Sequence, residues 1–201
     1  MFETRNPRKL AAFTLIELLT VIAIIGILAA ITFGVTKGVT QRAAISQARS
    51  ELAALGQALE AYKKQYGDYP QTGKSAGTVT ATASDTTVEG QLFNALMGKY
   101  GPKLDKIRGK QFIESAKFTL QGSALPPPGN ATTVNNAFVD PWGNLYLYYY
   151  RGSGSPTAWK QPSYLLLSVG PNGQLGIAVN NDGTFTEQDA AQAADNLYAN
   201  R

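Results

Sequence analysis

The segment Phe13 to Val35, FTLIELLTVIAIIGILAAITFGV, is twenty-three residues long and holds a single charge, Glu17. As a helix it would reach about 34 Å, enough to cross a bilayer core of roughly 30 Å. Arg8 and Lys9 precede it, and Lys37 and Arg42 follow. The compact basic cluster in the short tail keeps the N-terminus in the cytoplasm and sends the C-terminal bulk across. The stretch exceeds the roughly 7–15 residue core of a secretory signal and runs directly into a helical pattern, so its plain reading is an uncleaved anchor. Glu17 strains that reading. A carboxylate in an apolar helix costs on the order of 2.5–3.5 kcal/mol at mid-bilayer and less near an interface. Nothing basic lies within one turn on its face, which directs it to a partner on another chain or to a newly made terminus.

Composition excludes more than it assigns. With no cysteine and no histidine, the chain lacks disulfides, thiol nucleophiles, Cys-ligated metals, most zinc sites and the commonest general base. The net charge is +4, but residues 1–12 hold Arg5, Arg8 and Lys9 against Glu3, so without them it is 4 − 2 = +2. The remaining basic residues read as scattered, with no Lys/Arg cluster interleaved with aromatics, and no nucleic-acid partner is expected.

Beyond the apolar stretch, Ile45, Ala48, Leu52, Leu55, Leu59, Tyr62 and Tyr66 recur at spacings of 3 and 4. This predicts an amphipathic helix continuing into a globular head over 37–70, with Arg42, Gln47, Glu51, Gln57 and Lys64 off the stripe and Glu60 paired to Lys64. Gly67-Asp68-Tyr69-Pro70 stops it, glycine supplying a left-handed cap and proline barring continuation. Residues 71–137 read as a variable insert: a Thr/Ser/Ala/Gly loop over 71–90, a helical run Gln91–Tyr100, a short strand in Phe112–Leu120 and a stiff Pro126-Pro127-Pro128-Gly129 connector. Over 138–201, Asp140-Pro141-Trp142-Gly143-Asn144 predicts a turn with Trp142 as apolar anchor, followed by strands at Leu145–Arg151 and Tyr164–Val169. The fold class is therefore α+β, one long helix with a small C-terminal antiparallel sheet.

Ala12-Phe13-Thr14-Leu15-Ile16-Glu17, behind a short basic leader and ahead of an apolar helix, resembles the N-terminal signal of type IV prepilins and pseudopilins. The resemblance implies that a prepilin peptidase removes leader 1–12 by cutting between Ala12 and Phe13 and methylates the Phe13 amine. It implies that residues 13–36 wait in the inner membrane and become the filament core, with Glu17 pairing the Phe13 amine of its own or a neighbouring subunit; a buried charge is tolerated when paired. Ala12 stands where the family usually has glycine, and Gly34 and Gly38 stand where many relatives carry proline. AYKKQYGDYP, DPWGN and YLLLSVGPNG are similar to the major pseudopilin of type II secretion. In that family a loop binds calcium; the matching positions are Asn172, with the backbone oxygen of Val169, and Asp195, while Asp182 in Asn180-Asn181-Asp182-Gly183 competes. Calcium takes 6–8 oxygens, and each of the two runs is weakened to an amide at one position, Asn172 in the first and Asn196 in the second. The reading without metal is a loop held by Asx turns and a C-terminal helix from Glu187 to Leu197.

Two function classes remain. The first is a structural subunit of a homo-oligomeric filament, a type II secretion pseudopilus or alternatively a type IV pilus, with minor pseudopilins, the peptidase, an inner-membrane assembly platform and lipid as partners and the head in the periplasm. The second is a single-pass anchored enzyme or binding module. None of the fourteen acidic residues forms a recognisable catalytic motif, so no enzymatic activity is expected.

Overall fold

The computed structural model describes residues 13–74, 81–152 and 158–199, leaving the side chains of 31–37 aside. The leader and Ala12 lie outside the described residues. The chain divides into two units, 1–42 and 43–201, with one helix, α1 (Leu15–Tyr66), running through the boundary. It continues unbroken through Gly34 and Gly38. Among the described residues no helix is long and apolar enough to cross a membrane.

In the second unit the stripe behaves as its spacing predicts. Ala48, Leu52, Leu55, Leu59 and Tyr62 are buried. The helix stops at Gly67, whose φ of 84° is open to glycine and whose N–H donates to the Lys63 carbonyl at 2.7 Å. Over this stripe lies an antiparallel sheet of β1 (Thr72–Lys74), β4 (Leu147–Gly152), β5 (Leu165–Ser168) and β8 (Leu197–Tyr198), in the order β1-β4-β5-β8. Leu147 pairs with Leu167 and Tyr149 with Leu165. Side chains alternate across it: Tyr146, Tyr148, Tyr150, Tyr164 and Leu166 join the cluster built on α1. Leu145, Leu147, Tyr149, Leu165, Leu167 and Val169 join a second cluster on the opposite face, with Ile177 and Val179. Both faces are covered, which is why LYLYYY reads as a continuous apolar run rather than an apolar/polar alternation.

The rest fills in around that sandwich. Thr87 caps α2 (Val88–Leu96) by accepting from the Gly90 N–H, and Phe93 of α2 meets Phe138 at 5.0 Å between ring centroids. β2 (Thr119–Leu120) pairs with β3 (Phe138–Val139). β6 (Ile177–Val179) pairs with β7 (Phe185–Glu187), and α3 (Ala190–Ala193) leads into β8.

Several expectations change. β1 falls inside the expected insert yet pairs with β4, and Ala83 is buried, so the 71–90 stretch is partly built into the head. The strand expected in Phe112–Leu120 shrinks to β2 behind a 3₁₀ turn at Ser115–Lys117. The C-terminal helix expected from Glu187 to Leu197 is four residues long, because Glu187 is taken by β7 and Leu197 by β8. Trp142 is half-buried and belongs to neither apolar cluster; Trp159 packs against both. Glu51, expected on the polar face, is 6% exposed and accepts from Tyr146 Oη at 2.6 Å and Gln47 Nε2 at 2.8 Å. Glu60 accepts from Tyr69 Oη at 2.7 Å.

Asp68, just past the end of α1, gathers the Tyr69 N–H, Gln71 Nε2, Tyr150 Oη and an Arg151 guanidinium N–H. Burial raises its pKa, but these hydrogen bonds, Arg151 foremost, outweigh burial and hold it below the ordinary carboxylate value. A depressed folded pKa gives stabilisation that is complete above the unfolded value of about 3.9 and lost as pH falls through the folded value. Asp68→Asn should therefore lower stability by about 1–3 kcal/mol at neutral pH, with the gap between variant and parent narrowing in thermal melts recorded at successively lower pH below about 3.9.

Candidate functional site

Two regions hold the residues singled out from the sequence. In the first unit, α1 begins with Thr14 as its cap. Glu17 N–H donates to Thr14 Oγ1 at 3.3 Å, while Thr14 N–H and Oγ1 both donate to Glu17 Oε2, at 2.8 and 2.7 Å. This reciprocal arrangement is a capping box, and the Thr-x-x-Glu spacing carried its signal in the sequence. Glu17 thus has a partner three residues back that sequence reasoning missed. Around it, Phe13, Leu15, Ile16, Leu18, Leu19, Val21, Ile22, Ile24, Ile25, Ile27 and Leu28 are all exposed, Phe13 at 83%. These positions cover every face of the helix, in contrast to the single stripe after residue 45. A helix apolar all round is stable only when lipid or other protein surrounds it.

In the second unit, the turn at Asp140 and the loop after β5 are one hydrogen-bonded piece. Asp140, 1% exposed, accepts on Oδ1 from the N–H groups of Trp142 (3.1 Å) and Asn144 (2.8 Å), and on Oδ2 from Ser168 Oγ (2.6 Å). Burial pushes its pKa up, against the bonds from Ser168, Asn144 and Trp142 that favour the carboxylate. Ser168 Oγ accepts from Gly170 N–H at 3.0 Å, and Asn144 Nδ2 donates to the Gly170 carbonyl at 3.2 Å. Asp140 was read only as a turn former; its role as the buried centre of this network depends on Ser168, which is adjacent only in the fold.

The same loop reaches Asp195. Asn172 N–H donates to Asp195 Oδ2 at 3.0 Å, Asn172 Nδ2 to the Gln192 carbonyl at 2.8 Å, and Asn172 Oδ1 accepts from Gln174 N–H at 2.7 Å. Asp195 Oδ1 is buried with no hydrogen-bond partner, as is Asn196 Oδ1. The structure thus brings Asn172 and Asp195 together, with Val169 one residue from Gly170 in the same loop. Asp182 is elsewhere, in the turn between β6 and β7, bonded to Thr184 N–H and Oγ1 and facing Lys160 Nζ at 3.3 Å. Among the described residues no three acidic side chains gather as a metal cage.

Residues 7–33 match the family described as prokaryotic N-terminal methylation motif. Along most of its length the chain is similar to type II secretion system core protein G of Escherichia coli K12, 28% identical over 86% of this chain and 89% of that protein. The protein of the same name from Pseudomonas aeruginosa PAO1 is 26% identical over 87% of this chain and 92% of its own. A fimbrial protein of Neisseria meningitidis strain Z2491 is 41% identical, over 44% of this chain and 50% of that protein. In its N-terminal motif and along most of its length the chain is similar to type IV pilins and pseudopilins. No solved structure gives a significant match.

The loop geometry sets its own test. Gly170 has φ 71°, and a Cβ there would stand 2.4 Å from the Asp195 carbonyl oxygen; Gly143 has φ 88° with nothing within 4 Å of its Cβ position. Gly170→Ala should cost clearly more than the roughly 1–2 kcal/mol of left-handed strain that Gly143→Ala brings alone. Urea unfolding of the two variants side by side measures the difference.

Proposed function

We propose that the chain is the major subunit of a type II secretion pseudopilus. The observation that carries this is the segment Phe13–Leu28 at the start of α1, apolar on every face and exposed throughout, with Glu17 as its only charge. Prepilin peptidase cuts between Ala12 and Phe13 and methylates the new amine; residues 13–36 hold the subunit in the inner membrane with the head in the periplasm. An assembly platform then extracts the helix into a homo-oligomeric filament that minor pseudopilins complete, and the subunit has no enzymatic role. The capping box holds the Glu17 carboxylate on the Thr14 N–H and hydroxyl at the helix start, one residue along from the Phe13 amine that cleavage would create. That amine, from the same or an adjacent subunit, is the charge partner that makes Glu17 affordable inside the filament. The pseudopilus is favoured over a type IV pilus because similarity to the core protein G chains extends through the head. The fimbrial match spans about half of each chain.

Calcium belongs to the proposal as a weak site. Asp195 Oδ1 is a buried carboxylate oxygen without a partner, the chemistry a hard cation requires. Asp195, Asn172 and the backbone oxygen of Val169 would hold the ion and clasp the C-terminal segment to the loop. Asp182 is left out of this set, being bonded to Thr184 and Lys160.

Three measurements test the reading. Glu17→Leu should insert in the membrane as the parent does and yield no sheared filaments; normal assembly would remove the pairing argument. Mass spectrometry of the mature chain should find a methylated Phe13 at its N-terminus. Thermal melting with and without chelator should show a downward shift on calcium removal that Asp195→Asn abolishes, and an unchanged melt refutes the metal.

A further inference from the structure

The loop joining α2 to Phe112, YGPKLDKIRGKQF, contains Lys103, Lys106, Arg108 and Lys110, all exposed, against one acidic residue, Asp105. These four cations fall within eight consecutive residues, a clustering that the reading of the basic residues as scattered overlooked, and the fold holds them in one compact turn. Tyr100 bridges Lys106, Gly101 N–H donates to the Asp105 carbonyl at 2.9 Å, Ile107 N–H to the Lys99 carbonyl at 2.9 Å and Gly109 N–H to the Gly98 carbonyl at 2.8 Å. Leu104 sits at φ 63°, a left-handed conformation unfavourable for a branched side chain. From within, the 4% exposed Lys99 donates through Nζ to the carbonyls of Pro127 and Asn130, at 2.7 and 2.9 Å. Lys99 thereby ties the start of this loop to the connector at 127–130, and none of the loop's four exposed cations forms an ion pair among the described residues.

The complementary charge lies on the same head. From residue 161 to 200 the chain carries Asp182, Glu187, Asp189 and Asp195 and no lysine or arginine. Glu187 and Asp189 are exposed, on the segment that runs through α3 into β8. Asp189 also caps α3, its Oδ1 accepting from the N–H groups of Ala191 and Gln192. Arg49 of α1 lines a shallow cleft with Asn196, Leu197 and Tyr198 at that side. The basic loop lies beside β1, whereas Glu187, in β7 of the separate β6–β7 pair, and Asp189 lie on the segment leading to β8. Gln71, immediately before β1, donates its N–H to the Pro102 carbonyl of the basic loop at 2.7 Å, while the acidic segment feeds β8, at the other end of the order β1-β4-β5-β8. In an edge-to-edge two-fold contact a surface positive at one edge and negative at the other sets like charge against like. It pairs head to tail, and head-to-tail contacts propagate as open assemblies.

We propose that the basic loop Lys103–Lys110 of one subunit docks on the Glu187–Asp189 segment of a second copy, fixing how neighbouring heads meet. The inference rests on the filament reading and adds a head contact to the one made by the apolar helices. Such a contact steers encounter and orientation through complementary charge and weakens with salt.

Because the chain has no cysteine, Lys106→Cys and Glu187→Cys can be placed together in the full-length chain and oxidised in sheared filaments. The pair should give a ladder of covalent multimers that neither single variant gives. In parallel, Lys103→Glu with Lys106→Glu and Arg108→Glu should cut filament yield about tenfold, as should Glu187→Lys with Asp189→Lys, while combining all five substitutions restores it. Filaments without a ladder, or reversals that leave yield unchanged, overturn the docking and leave the filament reading standing. Normal yield from the reversed loop with lost retention on immobilised DNA assigns the loop to an acidic polymer and likewise overturns it. If the unaltered chain forms no filaments, the filament reading fails and the docking falls with it.

Discussion

The head depends on burying one stripe of α1 beneath tyrosines. Leu52, Leu55, Leu59 and Tyr62 present an apolar strip with helical spacing, while β4 and β5 present alternate residues, and Tyr146, Tyr148, Tyr150 and Tyr164 are what the two periodicities bring together. Tyrosine makes that interface large but adds a hydroxyl that must be satisfied wherever it is buried. Each solution is specific. Tyr146 reaches Glu51 on the helix itself, Tyr148 the Pro70 carbonyl, Tyr150 Asp68 and Tyr62 the Tyr100 carbonyl. The apolar contact area supplies attraction without direction. The hydroxyls supply the register, since sliding the sheet by one helical turn would strand several of them at once.

This explains which parts of the fold were legible. The stripe, the Gly67 stop and the two main strands follow from local chemistry repeated at a fixed spacing, so sequence alone carries them. Glu51 was misread because burial of a carboxylate depends on Tyr146, ninety-five residues away in sequence. The short β1 was invisible for a related reason: three residues, Thr72–Lys74, have no periodicity to detect, and their pairing is decided by β4. Trp142 shows the opposite error. A large aromatic was assigned to the core from its size, whereas the turn is held by Asp140, which satisfies two backbone N–H groups and Ser168 from a buried position.

At the N-terminus the lesson concerns the same residue seen at two scales. Glu17 looked unpartnered because only charged residues were sought within one turn, yet Thr14 supplies two hydrogen bonds to a single carboxylate oxygen. The capping box does not neutralise the charge; it fixes its position. An ionised group held at the first turn of an otherwise apolar helix also opposes the partial positive charge of the helix start. The local bonds are compatible with the proposed cationic partner: the first orient the carboxylate, and the second would be met by the amine of the proposed filament.

The two ends of the second cluster connect these features to the head's outer edge. The Asp140–Ser168–Gly170 network shapes the loop after β5, and that loop binds the C-terminal segment through Asn172, Asp195 and Gln192. The close approach of Gly170 to the Asp195 carbonyl leaves no room for a side chain. The segment so anchored is the one that carries Glu187 and Asp189 and ends in β8. Its attachment rests on a few hydrogen bonds and a buried carboxylate oxygen with no partner, while its strand, Leu197–Tyr198, is two residues long. Local stability there is low by construction. In the proposed reading a cation at Asp195 Oδ1 would tighten the segment that carries Glu187 and Asp189, so the metal and the meeting of adjacent heads would draw on the same few interactions.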